Sequence, residues 1–257
     1  MPVVLKKEHE LDLMRQANRI VALVLEAMTG MIAPGVTTLE LDKVAERIIR
    51  EHGAVPSFKG YPHLGSNDFP ASICASINQE IVHGIPSPDR VLRQGDIVSI
   101  DVGTVYAEYQ GDGAITVPVG QVDAGALDLI EVTRACLEAG IAKARPGSPT
   151  SDISRAIEGC ARAAGYEVVR EYTGHGIGKK MHEDPRVPNY ERRNAQDWIM
   201  REGMTIALEP MVNVGSWKTR VLPNGWTVET ADGELSAHFE HTIAITSDGP
   251  EILTRLD

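Results

Sequence analysis

Cysteine is scarce in this chain, and what there is forms no framework. Cys74, Cys136 and Cys160 are an odd number at irregular spacing, which excludes a disulfide scaffold and reads as free thiols in a reducing compartment. Long apolar runs are missing too: no window offers the roughly 18 uncharged apolar residues a membrane helix needs. The apolar start is too short for a signal peptide and meets charge at Lys6, Lys7 and Glu8, so a cytoplasmic protein is expected. Positive charge is in deficit: 25 Lys and Arg face 36 Asp and Glu, a formal net charge of −11. Such a surface repels phosphate backbones and anionic lipid, so neither nucleic acid nor a membrane is an expected partner. No low-complexity tract or Pro/Gly/Ser linker divides the chain, and one domain over residues 1–257 is expected.

Apolar material is ample, with 42% hydrophobic against 24% charged residues, the balance of a globular protein with a core. Leu13, Met14, Ala17, Ile20, Val21, Val24, Leu25 and Met28 recur at helical spacing, which predicts a helix over 9–29, with Gly30 as a left-handed C-cap. Thr37 and Glu40 form a capping-box pattern before a second helix that stops at Gly53. The same grammar returns: a helix over 125–144, a break at Pro146-Gly147, candidate caps Thr150 and Ser151, and a helix ending at Gly165. Pro34, Gly35, Thr38 and Gly53 match Pro146, Gly147, Thr150 and Gly165 at one offset of 112. Gly95–Asp101 likewise mirrors Gly203–Glu209. The chain therefore reads as two related halves, roughly 1–120 and 121–257, each with two helices followed by β-structure. That is an α+β arrangement, whose pseudo-twofold sets Asp101 opposite Glu209 and His83 near His175 in a central cleft.

Acids emerge from hydrophobic surroundings at several places. Asp101 ends the apolar run Ile97–Ile100, and Asp112, 11 residues on, can face it across a hairpin. Glu209 closes Ile206-Ala207-Leu208, and Glu240 lies within Ala237–Ile245. For one acid the simpler reading is a salt-bridged turn, because a lone desolvated charge is costly. The set of two Asp, two Glu and His175, the last flanked by glycines, suits a pair of divalent cations, which four carboxylates would neutralise and bridge. One imidazole among oxygens favours Mn, Fe, Co or Zn over Ca or Mg. Absent cysteine ligands argue against a structural zinc. The spacing of Gly174, Gly176 and Gly178 is not that of a dinucleotide loop.

The stretches Phe69–Asn78, Val82-His83-Gly84-Ile85-Pro86, Asp101-Val102-Gly103, Gly174-His175-Gly176-Ile177-Gly178, Glu209-Pro210-Met211 and Ser236–Thr242, in that order, resemble the type I methionine aminopeptidases, over nearly the whole chain. The resemblance implies the pita-bread fold: a central antiparallel sheet with helices packed outside. It implies Asp101, Asp112, His175, Glu209 and Glu240 as ligands of two divalent metal ions. Glu209 would shuttle the proton of the attacking water, His83 would bond the substrate amide or leaving amine, and His182 would stabilise the oxyanion. Tyr61, Phe69, Cys74 and Trp226, with Phe58 nearby, would hold the methionine side chain. The implied substrate is the N-terminus of a nascent polypeptide, cleaved before a small second residue by a cytoplasmic monomer in transient contact with the ribosome. Three features depart from the family. The segment Pro62–Asp68 is long, Met181 stands where Phe is usual, and His238 stands where Gln is common, there to tune Glu240 or to lie at the surface. Two other readings share the fold, an X-Pro aminopeptidase or creatine amidinohydrolase and a binding protein that has lost catalysis. The former normally carries a further N-terminal domain, and the latter typically lacks ligands.

Overall fold

The computed structural model describes residues 3–63, 65, 67–192 and 196–256. The first half opens with α1 (Glu8–Met31) and α2 (Thr38–Glu51). It continues through β1 (Val55–Pro56), β2 (Ile73–Ile77), β3 (Glu80–Val82) and the hairpin β4 (Ile97–Tyr106) and β5 (Tyr109–Pro118). The second half opens with α3 (Ala124–Ile141) and α4 (Thr150–Ala163). After them come β6 (Glu167–Val168), β7 (Thr173–Gly176), β8 (Glu183–Pro188), β9 (Thr205–Leu208), β10 (Met211–Asn213), β11 (Thr219–Val221), β12 (Val228–Thr230), β13 (Ser236–His238), β14 (Glu240–Thr246) and β15 (Gly249–Ile252). The main sheet runs β1-β4-β5-β14-β9-β7-β8, with β2 also on β4 and β15 on β14, and every pairing in it is antiparallel. Two three-stranded sheets, β13-β10-β6 and β11-β12-β3, complete the β-structure among the described residues. This is the α+β pita-bread arrangement that the resemblance implies.

The helices form because their apolar stripes have a sheet to cover. Val21, Val24, Leu25 and Met28 of α1 and Leu41, Ala45 and Ile49 of α2 bury with Ile73, Val98, Ile100 and Val102 of the first half. Leu129, Leu137 and Ile141 of α3 and Ile153 and Ile157 of α4 do the same with Ile206, Leu208, Ile243 and Ile245 of the second. Each such large side chain removed from water contributes about 1.5–3 kcal/mol. The Thr37 hydroxyl accepts from Glu40 N at 3.2 Å while the Glu40 carboxylate accepts from Thr37 N at 2.8 Å, so the expected capping box is present. Two expectations are corrected. Helix α1 runs through Gly30 to Met31 and is capped at Ile32, because Met28 O still finds Ile32 N. The N-cap of α4 is Pro149, which has no side-chain acceptor. Asp197 supplies one instead, accepting from Ser151 N at 3.0 Å and from the Thr150 and Ser151 hydroxyls at 2.9 and 2.6 Å.

The repeat reappears in three dimensions. Gly35 and Gly147, and Gly53 and Gly165, take positive φ in pairs, at 95° and 85° and at 73° and 86°. Isolated bridges join Thr37 to Val91 and Pro149 to Ile199. Gly35 N reaches Leu92 O as Gly147 N reaches Met200 O, both at 2.8 Å. The connection between the two helices of each half is thus laced to that half by the same backbone bonds, and β5 meets β14 where the halves join. That seam carries the site.

Candidate active site

In the β4–β5 hairpin, turned at Ala107 and Glu108 with φ of 45° and 73°, Asp101 lies across from Ala114 and Gly103 across from Asp112. The two acids therefore sit diagonally on one face, since strand side chains alternate with period two. Asp101 does not end its strand, as the sequence suggests. β4 continues through Tyr106, because the hairpin supplies ladder partners beyond the acid. Glu240, first in β14, meets Ala114 from the other side. His175 of β7 lies across from Ala207, as does Thr242 of β14. Glu209 directly follows β9, and its carbonyl accepts from the Asn189 side chain at 3.0 Å.

These strands bring Asp112, His175 and Glu240 together, with candidate ligand atoms all within 4.8 Å of one another. His175 Nε2 stands 3.8 Å from Asp112 Oδ2 and 3.4 Å from Glu209 Oε1. Its Nδ1 lies 3.0 Å from Gly176 O, the arrangement that leaves Nε2 free as a ligand atom. Asp101 Oδ1, Asp112 Oδ1 and Glu240 Oε1 are buried without a hydrogen-bond partner. Burial pushes the Asp101 carboxyl up to about 7. It pushes Asp112, Glu209 and Glu240 well above the usual carboxylate range, and their neighbours' negative charges push them further. The same burial pushes His175 down to about 3. Unpaired buried carboxylates are expensive, and a divalent cation answers the orphaned oxygens and the mutual repulsion together. The donor set, carboxylate oxygens with one neutral imidazole, fits such an ion.

Above this cluster lies a cavity of about 300 Å³. Tyr61, Phe69, Cys74 and Trp226 line it with Phe58 and Met181, so the expected pocket residues do converge. Phe69 packs edge-on to Trp226, with centroids 5.1 Å apart. The Cys74 thiol is buried, pushed up by desolvation and then by Asp101, and presents a small neutral surface. The long segment leaves Tyr61 and Phe69 in place because its ends are tied, with Phe69 N to Tyr61 O at 3.0 Å and Gly60 N to Phe69 O at 2.8 Å. It also reaches the cavity wall. The His63 ring lies 4.7 Å from that of Trp226, whose Nε1 donates to Asn67 O at 2.7 Å. Leu64 and Ser66 of that segment lie outside the described residues.

His83 and His182 both line the cavity. His83 takes φ of 60°, a left-handed conformation that costs a non-glycine residue roughly 1 kcal/mol and concentrates at functional sites. Gly84 beside it has no alternative, since a Cβ there would stand 2.2 Å from Ala75 O. Burial lowers the His83 pKa to about 4, so the ring is neutral at pH 7. The His182 ring packs on His175 with centroids 4.4 Å apart, and its Nδ1 lies 2.9 Å from the Tyr61 hydroxyl. His238 is not a surface residue. It is 2% exposed, its N–H donates to Thr116 Oγ1 at 2.8 Å and its Nε2 has no partner. Glu171, Tyr172, Thr173 and Arg186 also line the cavity and are not among the candidates drawn from the sequence. Tyr172 and Thr173 adjoin the His175 glycines, a signal that was available. Arg186 of β8 pairs with His175 of β7, and its charge opposes, without reversing, the rise that burial imposes on Glu209.

A buried carboxylate–imidazole cluster beneath an apolar cavity, on a sheet of two matched halves, defines a metallohydrolase. The chain belongs to metallopeptidase family M24, whose pattern matches residues 12–247. Within it the chain groups with bacterial methionine aminopeptidases. It is 49% identical to methionine aminopeptidase 1 of Bacillus subtilis over 254 residues, covering 99% of this chain and 100% of that one. It is 48% identical to the methionine aminopeptidase of Clostridium acetobutylicum over 252 residues, 98% of each. The methionine aminopeptidase structure from Thermotoga maritima superposes with a TM-score of 0.95 at 40% identity, covering 99% of this chain and 100% of that one. A prolidase from Pyrococcus furiosus shares the fold at TM-score 0.77 and 22% identity over 66% of its length. Among the described residues no helix is long and apolar enough to cross a membrane.

Proposed function

We propose that the chain removes N-terminal methionine from new polypeptides, using two divalent ions drawn from Mn, Fe, Co and Zn held by Asp101, Asp112, His175, Glu209 and Glu240. The observation that supports this most is the convergence of those five side chains, with orphaned carboxylate oxygens, on the floor of a cavity walled by Tyr61, Phe69, Cys74 and Trp226. When bound, the ions supply Lewis acidity and make the attacking water a stronger acid. Glu209 takes the proton from that water and passes it to the leaving amine. His83, neutral, holds the substrate amide. His182, oriented by Tyr61, donates to the carbonyl oxygen as negative charge develops there. The apolar wall takes the methionine side chain and excludes water. We place the enzyme in the cytoplasm as a monomer that meets its substrates at the ribosome.

Cleavage is restricted to a small second residue, because a cavity that clamps the N-terminus leaves little room beyond the scissile bond. A peptide panel tests this. Met-Ala-Ser should be hydrolysed efficiently, and Met-Lys and Met-Phe peptides should be refused. Efficient hydrolysis of the latter pair would sink the reading.

A further inference from the structure

The turn that joins β7 to β8 follows His175 and ends at His182, and the segment ahead of α1 reaches it. Lys6 N donates to Gly203 O at 2.7 Å. The Lys6 ammonium donates to Glu183 Oε2 at 2.6 Å and to Val4 O at 3.3 Å. This ion pair is nearly dry, with side chains 3% and 11% exposed. The other Glu183 oxygen accepts from Lys180 N at 3.2 Å. Gly178 N donates to Lys180 O at 3.1 Å, and Gly178 O accepts from Gln110 N at 2.8 Å. A Cβ on Gly178 would stand 2.5 Å from Lys6 Cε and 2.6 Å from Glu183 Oε1. Gly178, the last glycine of the Gly174–Gly178 stretch, thus lies directly against the ion pair.

We propose that Lys6 is a positioning residue for the reaction: through its buried pair with Glu183 it fixes the 177–183 turn and so sets His182 against Tyr61 and the developing oxyanion. His182 is the neighbour of Glu183 in the chain, so a shift of the Glu183 backbone moves it directly. The Tyr61 bond alone does not fix the ring, because it holds only Nδ1. Misplacing a catalytic group by about 1 Å costs on the order of 10²-fold in rate, so a device with no contact to substrate can still govern turnover. The inference rests on the role given to His182 in the proposed function.

The test is a double-mutant cycle on the metal-loaded enzyme with Met-Ala-Ser. Lys6→Met should lower kcat about 10- to 100-fold with KM within about two-fold, since only a transition-state contact is lost. In a His182→Ala background the same substitution should change kcat less than about two-fold, because coupled residues are non-additive. Equal losses in both backgrounds would mean that Lys6 supports the fold generally, and would overturn the proposal. So would an unchanged kcat. Should Lys6→Met fail to fold, Glu183→Gln, which keeps the shape and removes the partner charge, enters the same cycle. The His182 imidazole signals in selectively labelled protein give a readout independent of turnover. They should move in Lys6→Met or Glu183→Gln, and unmoved signals would overturn the proposal. A wild-type enzyme that releases no methionine would refute the catalytic reading instead, and the His182 signals would then decide the positioning alone.

Discussion

Glu209 stands between β9 and β10, and its carboxylate feels the charges of Asp101 and Arg186. Glu209→Gln keeps the shape and removes the base, so kcat should fall at least roughly 10²-fold. A change confined to KM would contradict the role. His182→Ala should cost about 2.7–4 kcal/mol of transition-state stabilisation, the scale of one oxyanion donor, read from kcat/KM. Asp112→Ala removes an oxygen donor from the tightest cluster and should reduce metal stoichiometry in calorimetry as well as turnover. At this scale the sequence was informative about Asp101, Glu209 and Glu240, because each interrupts an apolar run where a charge has no structural reason to be, and about His175, because it stands among glycines. It was uninformative about Arg186, whose place beside His175 exists only through strand pairing. It left His238 between two fates that burial alone decides.

Secondary-structure elements deliver these residues, and the ends of the elements were the least legible part. Gly30 reads as a stop signal, yet α1 continues past it, because a cap depends on the path of the following chain. The Asp197 cap of α4 joins residues far apart in sequence, which no local pattern announces. The Thr37–Glu40 box was readable because both partners are local. Thr37→Ala should cost about 0.5–2 kcal/mol in denaturant unfolding and leave kcat unchanged. The segment Pro62–Asp68 contacts Trp226 through His63 and Asn67, so it adjoins the apolar wall of the cavity. Closure entropy changes slowly with loop length, so shortening it to two residues should leave stability nearly unchanged. It should alter kcat/KM for long peptides several-fold more than for Met-Ala. Equal responses of short and long peptides would deny it any part in screening substrates.

For the whole molecule, two matched halves meet at β5 and β14 and gather their acids at the seam. Repulsion between buried carboxylates is the cost of that arrangement, and a bound cation offsets it. In metal-free protein the raised carboxyl pKa values mean that the folded state binds protons more tightly than the unfolded one. The stability these carboxyls contribute is then full below the ordinary carboxylate value and is lost as pH rises through about 7, where Asp101 ionises. Metal binding should release protons, and the metal-dependent gain in Tm should grow over the same pH range. The lowered pKa values of His83 and His175 act with the opposite sign below about 6.5, so the test is the proton count on metal binding, and metal uptake without proton release below pH 7 would contradict the electrostatics of the cluster. The most direct test of the central claim follows methionine release from Met-Ala-Ser through removal and return of metal, with metal content measured on the same samples. Turnover should vanish when chelation empties the site and return with added Mn, Fe, Co or Zn at up to two ions per chain. Undiminished methionine release from protein proven free of metal would contradict the account.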